Sequence, residues 1–415
     1  MTTRTPKTRT ILVPRYMQQF ACIGSVCEDS CCVGWRVDID QSTYKKYNKS
    51  RDIELKPLFE KNIVRHRVQA NERAYAKLKM DDSGRCTFLN EDNLCKVQLG
   101  LGEDYLSNTC STYPRYINRV NGVVEKSTTV SCPEAARLAL LNPNGIEFDQ
   151  TEEEISSKGF LHKELTTNDI NNKNKAQAYF WDLRIFTIQV LQRREYSLSD
   201  RLIILGLFYQ KVQQAVDESN FEQIPGYIES YNAILEDMSM KDSLNQIPSN
   251  LAIQMKLCKE LVDFRFGQGI HSSRYLQCLA ETLNGIEYTS EAIAEEIAAR
   301  YQQACKEHYE PFMNEHEYIL ENYLVNYVFK NLFPFGKKKL YNDFVMLVVH
   351  YSMIKLHLIG MAGYHKGLTT ELVIKLIQSF AKTVEHNGTY LNKVFALLED
   401  NEYTTMAYMT VLIKN

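Results

Sequence analysis

The sequence predicts a mainly α protein: a small, irregular, cysteine-rich α+β module followed by an all-helical domain. Eight of the eleven cysteines lie between Cys22 and Cys132, and six of the ten prolines fall in the first 145 residues. Beyond residue 145, apolar residues instead recur at the spacing of helices. We therefore place the cysteine-rich module at 1–145 and the helical domain at 146–415.

Short extended runs and closely spaced turns characterise the module. Residues 11–13 (ILV) and 34–39 (GWRVDI) have the composition of strands. Turns are predicted at residues 81–84 (DDSG) and at Asn121-Gly122, because these residues tolerate the backbone angles that turns require. The run 142–145 (NPNG) is typical of a loop and marks the predicted boundary.

The second part contains three long apolar stripes with helical periodicity. Their members are Phe180, Leu183, Thr187, Val190 and Leu191; Phe344, Leu347, Val348, Tyr351, Ile354 and Leu358; and Leu372, Val373, Leu376 and Phe380. Polar residues that cap helices predict helix starts at Ser199, Ser290 and Thr370. We expect about ten helices without a parallel sheet, and a polar loop at residues 171–175.

Charge and hydropathy exclude two classes of partner. The formal net charge is −3, so a broadly basic nucleic-acid-binding protein is not expected. No run approaches the ~18 apolar residues of a membrane span, and the longest, residues 344–349, is flanked by Asp343 and His350. The basic N-terminus lacks the apolar segment of an export signal. The sequence therefore predicts a cytoplasmic protein that binds neither membrane nor nucleic acid, and it leaves the oligomeric state open.

The cysteine spacing indicates metal or thiol chemistry. The first cluster has the pattern Cys22-x4-Cys27-x3-Cys31-Cys32, and four cysteines follow, at Cys86, Cys95, Cys110 and Cys132. Cytosolic thiols stay reduced, so a disulfide framework is the weaker interpretation. Thiolates bind zinc and iron–sulfur clusters, and four of them complete either site. The remaining cysteines, Cys258, Cys278 and Cys305, are predicted to be buried as small apolar residues.

Two common cofactor motifs are missing from the sequence. The nearest glycine-rich element, Gly100-Leu101-Gly102, does not follow a clear buried strand, so it does not predict a nucleotide-type loop. Paired C-x2-C knuckles of a zinc ribbon are also absent. The sequence therefore predicts neither a cofactor loop of the usual nucleotide-binding fold nor a zinc ribbon.

The run at residues 20–35 (FACIGSVCEDSCCVGW) closely resembles the start of the flagellin lysine N-methylase (FliB-like) family. The segments 86–89 (CTFL), 94–97 (LCKV) and 109–115 (TCSTYPR) continue the resemblance, which extends to the wider group of CxxxCC iron- or zinc-chelating domains. Residues 321–327 (ENYLVNY) and Phe333-Pro334 are similar to the helical half of the family. The resemblance covers most of the chain and is most specific before residue 135.

The resemblance implies a protein-lysine N-methyltransferase. The family transfers methyl groups from S-adenosylmethionine to lysine ε-amines of flagellin in the cytoplasm, and its cysteines are taken to hold an iron–sulfur centre, expected to be [4Fe–4S], with zinc as the alternative. The CxxxCC element falls on Cys27, Cys31 and Cys32. The ligands ranked first are Cys31, Cys86, Cys95 and Cys110, followed by Cys27, Cys32, Cys22 and Cys132.

Further candidates lie beside the cysteine motifs. Aromatic faces attract sulfonium and methylammonium cations, so Trp35, Tyr113 and Tyr116 are candidates for binding the cofactor or the substrate, with simple packing as the alternative. Arg115 is a candidate for binding a cofactor carboxylate.

The acceptor lysine also needs a catalytic group. Lysine must lose a proton before it can accept a methyl group, since its ordinary pKa is about 10.4. Glu28 and Asp29 are candidates for that base, with exposed loop acids as the alternative. Tyr113 completes the set of catalytic candidates.

Two other functions compete with methylation. The chain could be a non-enzymatic module in which zinc stabilises the fold and the helices bind a protein partner. It could also be a redox sensor or reductase that uses the thiols of Cys27, Cys31 and Cys32.

Overall fold

The computed structural model describes residues 8–35, 37–67, 71–154, 161–169, 175–248, 270, 272–289 and 293–414. The chain folds as two compact units. The N-terminal unit comprises Met1–Arg119, Val123–Ala135 and Phe148–Glu164, and the helical unit comprises Val120–Gly122, Ala136–Glu147 and Leu165–Asn415. The predicted fold class is confirmed, with small sheets confined to the first part of a mainly helical chain.

A five-stranded sheet forms part of the N-terminal unit, with the strand order β7-β1-β6-β5-β8. Its strands are β1 (Thr8–Pro14), β5 (Arg115–Val120), β6 (Val123–Thr128), β7 (Phe148–Glu154) and β8 (Lys163–Leu165). β1 runs parallel to β6 and antiparallel to β7, which it pairs along its whole length. This pairing groups residues 148–164 with the N-terminal unit, beyond the boundary placed after residue 145.

The turn predicted between β5 and β6 is present. Asn121 and Gly122 have φ of 49° and 84°, the left-handed conformation that a two-residue hairpin turn requires. The predicted strand at residues 11–13 lies within β1, and Ile11 and Val13 are buried.

A second, three-stranded antiparallel sheet has the order β2-β4-β3. Its strands β2 (Asp38–Ile39), β3 (Ile63–Arg65) and β4 (Ala76–Leu78) are accompanied by the helices α1 (Gln41–Lys49), α2 (Leu55–Asn62), α3 (Lys96–Leu101) and α4 (Asn108–Thr112). Of the strand predicted at residues 34–39, Asp38–Ile39 form β2, whereas Gly34 has a φ of +84°, which lies outside the extended region. The core beneath this sheet includes Ile39, Phe59 and Phe88.

The described helices that follow are α5 (Pro133–Leu140), α6 (Phe180–Leu191), α7 (Leu198–Asp217), α8 (Ile224–Glu236), α9 (Lys241–Asn245), α10 (Ser273–Gly285), α11 (Ala294–Ala304), α12 (Glu310–His316), α13 (Tyr318–Asn331), α14 (Leu340–His365), α15 (Thr370–Phe380), α16 (Gly388–Asp400) and α17 (Met406–Ile413). Two π-helical turns interrupt them, at Cys305–Tyr309 and at Ala381–Glu385. The π turn is rare and is often found at functional sites.

The central helix of the helical unit is α14. Among the described residues it is the one helix with the length and apolarity of a membrane span, but the whole of that apolar window is buried inside the protein. A helix that is apolar on all sides and enclosed in this way is a core helix. All residues of the predicted stripes on α6 and α14 are buried, as expected, and on α15 only Leu372 is partly exposed.

Two predicted helix starts differ slightly from the structure. The cap of α7 is Ser197, whose side chain accepts a hydrogen bond from the Asp200 amide, and Thr369 caps α15 in the same way. Serine and threonine recur close to both starts, so composition alone selects the wrong one. The predicted cap Ser290, the loop residues 171–174 and Cys258 lie outside the described residues, whereas Cys278 and Cys305 are buried as predicted.

The segment 321–327 connects distant parts of the helical unit through its polar side chains. Glu321, which is buried, forms ion pairs with Arg201 (2.7 Å) and Arg194 (2.8 Å). The Asn322 amide donates to the carbonyl of Leu140 (3.0 Å), and it also donates to the Asn142 carbonyl. These contacts hold α13 against α7 and against the segment that follows α5, so this motif has an architectural role.

Candidate functional site

Five of the cysteines line one cavity of about 90 Å³ in the N-terminal unit. They are Cys31, Cys32, Cys86, Cys95 and Cys110. The other walls are mainly apolar and aromatic, formed by Trp35, Val37, Ile39, Tyr47, Leu78, Phe88, Val97, Gln98, Leu106 and Tyr113. The four cysteines ranked first from the sequence all belong to this group, together with Cys32.

Backbone hydrogen bonds bring the first cysteine cluster to the second. The Cys86 amide donates to the Cys32 carbonyl and the Gly34 amide donates to the Gly84 carbonyl, each at 2.9 Å. Gly34 and Gly84 both have positive φ, which side-chain-bearing residues rarely adopt. The two glycines thus allow the loop that carries Cys31 and Cys32 to lie against the segment that carries Cys86.

Local turns fix the remaining cavity cysteines. Cys95 caps α3, and an isolated β-bridge joins it to Leu89. Cys110 lies in the first turn of α4, where its amide donates to the side chain of the cap Ser107 (3.2 Å). Asp40 accepts a hydrogen bond from the Asn108 amide (2.9 Å), which ties α4 to the start of α1. Local structure therefore positions the backbone of both cysteines.

Burial strongly affects the ionisation of these thiols. It raises the pKa of Cys86 to about 11 and that of Cys110 to about 12. The pKa of Cys32 is raised by its hydrogen bond with Cys31, whose sulfur is 3.9 Å away, and by burial. The thiols of Cys32, Cys86 and Cys110 therefore stay protonated without a nearby cation, so a metal that binds them must release protons.

The donor set is the type that both zinc and iron–sulfur centres use. Four sulfurs around one tetrahedral zinc stand about 3.8 Å apart, because each Zn–S bond is about 2.3 Å, and the Cys31 and Cys32 sulfurs are 3.9 Å apart. A [4Fe–4S] cluster also takes four thiolates, each bound to a different iron. In the described part of the chain, no group of three or more His, Cys, Asp and Glu side chains is arranged to hold a metal ion.

The other three cysteines of the module do not line this cavity. The Cys27 thiol donates to the Asp29 carbonyl (3.4 Å), and the Cys132 thiol accepts from backbone amides at the start of α5. Burial raises the pKa of Cys132 to about 11, and both thiols interact electrostatically with Cys31. Cys22 is exposed. The structure thus separates the eight cysteines into five and three.

Two of the predicted aromatic candidates form part of the cavity wall. The Trp35 indole N–H donates to the Cys31 carbonyl, and the Trp35 and Tyr113 ring centroids are 5.3 Å apart. The Tyr113 hydroxyl lies 3.1 Å from the Ser131 hydroxyl. Burial holds the pKa of Tyr113 well above its usual value, so its phenol stays neutral.

The remaining predicted site residues lie outside the cavity wall. The Arg115 guanidinium lies 5.2 Å from the Phe20 ring centroid, and Tyr116 stacks on His162 at 3.8 Å. Glu28 is exposed and Asp29 is half-buried.

Sequence reasoning missed eight wall residues, among them Tyr47, Phe88 and Gln98. The sequence did contain one signal for Phe88, because this residue lies within the cysteine-containing segment 86–89. Tyr47 lies far from any cysteine in sequence.

A family model described as "FliB lysine N-methylase C-terminal domain" matches residues 184–412, which is more than half of the chain. The chain is 25% identical over 400 residues to a Lysine-N-methylase of Salmonella choleraesuis, covering 91% of this chain and 92% of the relative. The Lysine-N-methylase of Salmonella typhimurium is 24% identical with the same coverage. Flagellar biosynthetic protein FliU of Salmonella muenchen is 35% identical over 142 residues, covering 34% of this chain and 83% of that protein. No solved structure matches the chain.

Proposed function

Because the chain belongs to the FliB lysine N-methylase family, we propose that it transfers methyl groups from S-adenosylmethionine to lysine ε-amines of flagellin in the cytoplasm. One observation carries the proposal: the similarity to two Lysine-N-methylases extends over 91% of the chain and therefore includes both units. The flagellar name of a third relative supports the choice of flagellin as substrate.

We assign an iron–sulfur centre, of the [4Fe–4S] type, to the cavity in the N-terminal unit. The residues that would hold it are four of the five cavity cysteines Cys31, Cys32, Cys86, Cys95 and Cys110. When bound, such a centre supplies Lewis-acidic iron and one-electron redox chemistry. A fifth thiol beside four ligands gives the cavity one donor in excess.

The acceptor lysine must reach the methyl donor as a neutral amine. In a direct displacement the nitrogen lone pair forms the new N–C bond, and the C–S bond breaks with its electron pair moving to sulfur. The proton on nitrogen must pass to a base. Tyr113 cannot take this role, because burial keeps its phenol protonated. Asp29, half-buried and electrostatically coupled to Tyr113, is the candidate base on this side of the cavity.

The test is a methylation assay with anaerobically purified protein, S-adenosylmethionine and flagellin, read by peptide mass spectrometry. We expect mass increments of whole methyl groups on flagellin lysines. Cys86→Ser should abolish them, whereas Cys22→Ser, at an exposed position outside the cavity wall, should retain them. Unmodified flagellin with the metal-loaded protein would overturn the proposal.

Metal analysis of the same preparation separates the proposal from its rivals. Iron and acid-labile sulfide in equal amounts support the iron–sulfur assignment. Stoichiometric zinc together with no binding of S-adenosylmethionine would instead indicate a zinc-stabilised binding module. Quantitative alkylation of Cys27, Cys31 and Cys32 without metal release would indicate a redox thiol protein.

A further inference from the structure

Trp35 and Tyr113 form an aromatic wall whose rings are held at their polar ends. The Trp35 indole N–H is bound to the Cys31 carbonyl, and the Tyr113 hydroxyl lies 3.1 Å from the Ser131 hydroxyl. The two rings contact each other with centroids 5.3 Å apart and planes inclined by 44°. Rings fixed in this way present their faces at little further cost in conformational entropy.

The aromatic wall includes a part of the cavity that solvent reaches. Trp35 is partly exposed and its neighbour Cys31 is exposed, whereas Val37, Ile39 and Phe88 are only 3%, 1% and 2% exposed. A ligand entering from solvent can therefore reach the Trp35 ring.

The cavity wall also lacks formal charge on its ordinary ionisable residues. Of the described residues that line it, none is a lysine, arginine, aspartate or glutamate, and the polar groups are thiols, phenols and the Gln98 amide. A cationic group that enters this space cannot pair with a carboxylate of the wall. Apart from thiolates bound to the metal, the faces of the Trp and Tyr rings are the wall groups able to attract it, and such contacts are stronger when water is excluded.

We propose that Trp35 and Tyr113 bind the sulfonium group of the methyl donor through cation–π attraction. This inference rests on the proposed function and names the residues that recognise the donor. When the methyl group leaves, the sulfonium becomes a neutral thioether and the attraction disappears. The wall therefore distinguishes the donor from its product by charge, and it favours exchange of spent cofactor.

The test compares binding of S-adenosylmethionine with binding of its neutral product, S-adenosylhomocysteine, by titration calorimetry on the metal-loaded protein. Trp35→Leu should weaken binding of the donor about tenfold relative to the product, the size expected for a desolvated cation–π contact. Trp35→Phe, which keeps a ring, should lose less. Tyr113→Leu and Tyr113→Phe provide the same comparison at the second ring.

A second measurement changes the charge on the face of the Trp35 ring while the shape of the aromatic wall is kept. The chain has two tryptophans, Trp35 and Trp181, so Trp181→Phe leaves Trp35 as the one site for biosynthetic incorporation of fluorotryptophans. Fluorine withdraws charge from the ring face but leaves the indole N–H in place. We expect donor affinity to fall stepwise with the number of fluorines, while product affinity stays constant.

Each possible result distinguishes the inference from a stated alternative. If Trp35→Leu and the fluorotryptophans weaken donor and product equally, or leave both unchanged, Trp35 only packs the cavity and the inference is wrong. If affinity for a flagellin lysine peptide falls instead of donor affinity, the ring wall binds the acceptor and the inference is again wrong. If the unmodified, metal-loaded protein binds neither donor nor product, the proposed function itself fails.

Discussion

The Lys330 ε-ammonium lies 2.6 Å from the Glu385 carboxylate, and both side chains are buried in the helical unit. The Tyr323 hydroxyl also donates to Glu385, at 2.6 Å. Glu385 is the last residue of the π-helical turn Ala381–Glu385, which extends α15. The π turn therefore ends on the residue that pairs with a buried lysine of α13.

Breaking this pair should destabilise the protein. Glu385→Gln leaves the Lys330 ammonium buried without its counter-ion, and we expect a loss of about 3 kcal/mol in the free energy of unfolding. The double variant Lys330→Met with Glu385→Leu removes both charges and should recover most of that loss. Urea unfolding of the full chain measures both, and a double variant no better than Glu385→Gln would contradict the argument.

The same pair predicts a pH dependence. Burial acts to raise the pKa of Glu385, but the Lys330 ammonium and its other partners outweigh burial and hold the pKa at about 2, below the ordinary 4.5. A carboxyl whose folded pKa is depressed contributes stability above its unfolded pKa, and that contribution is lost as pH falls toward the folded value. The stability difference between the native chain and Glu385→Gln should therefore shrink from about pH 4.5 downward. A constant difference across that window would refute the assignment.

Two glycines at the crossing of α10 and α14 predict an unusual response to alanine. A Cβ on Gly360 would lie 2.6 Å from the Thr282 carbonyl oxygen, and a Cβ on Gly285 would lie 1.8 Å from the Gly360 carbonyl oxygen. Gly360→Ala should cost about 3 kcal/mol through this overlap, although alanine favours helices. The matched control is Gly226→Ala in α8, where no atom lies within 4 Å and a gain of up to about 1 kcal/mol is expected. Thermal denaturation distinguishes them, and similar shifts in both variants would contradict the close packing.

The sequence predicted those parts of the fold that depend on local pattern. The helical stripes and the clustering of cysteines both depend on residues that lie close together in the sequence. The sequence could not select five cysteines from eight, because contacts such as the hydrogen bond from Cys86 to Cys32 join residues far apart in the chain. The sequence also did not predict β7, since the charged run FDQTEEE carries no apolar alternation, and in the structure it pairs with β1.

The same limit applies to the candidate site residues. Tyr113, Arg115 and Tyr116 are near neighbours in the chain, and proximity to a cysteine motif could not rank them. Tyr113 precedes β5 and reaches the cavity wall, whereas Arg115 and Tyr116 belong to the strand and contact Phe20 and His162. Side chains take different directions in a turn and in a strand, and this direction decides which of the three side chains lines the cavity.

Two buried histidines on α14 provide a matched pair. The Nδ1 atoms of His350 and His357 each lie 2.7 Å from the carbonyl oxygen four residues earlier, and burial lowers the pKa of both rings. His357 Nε2 accepts from the Tyr275 hydroxyl at 3.1 Å, whereas His350 Nε2 has no hydrogen-bond partner in the described part of the protein. The Nε2 atoms therefore differ in what they contribute to stability.

Replacing the two histidines should expose that difference. His357→Phe removes the acceptor of the Tyr275 hydroxyl and should cost about 1–2 kcal/mol more than His350→Phe. In a Tyr275→Phe background the excess should vanish, because the hydroxyl is already gone. Chemical denaturation of the four variants forms the cycle. An excess that persists in the Tyr275→Phe background would assign the cost to packing.

Thiol reactivity with and without the metal should distinguish the five cavity cysteines from the other three. In the metal-free protein at pH 8, a thiol with a pKa of about 11 is ionised in about one molecule in a thousand. Buried Cys86 and half-buried Cys110, whose pKa values are raised, should therefore react slowly with iodoacetamide, while exposed Cys22 reacts quickly. Metal loading should then block the cavity cysteines further and leave Cys22 unchanged. Peptide mass spectrometry over a time course, with and without a chelator, measures each site. Protection of Cys22 on loading, or continued reaction of Cys86 and Cys95, would place the metal elsewhere, because a thiolate bound to a metal in a closed cavity cannot attack the reagent.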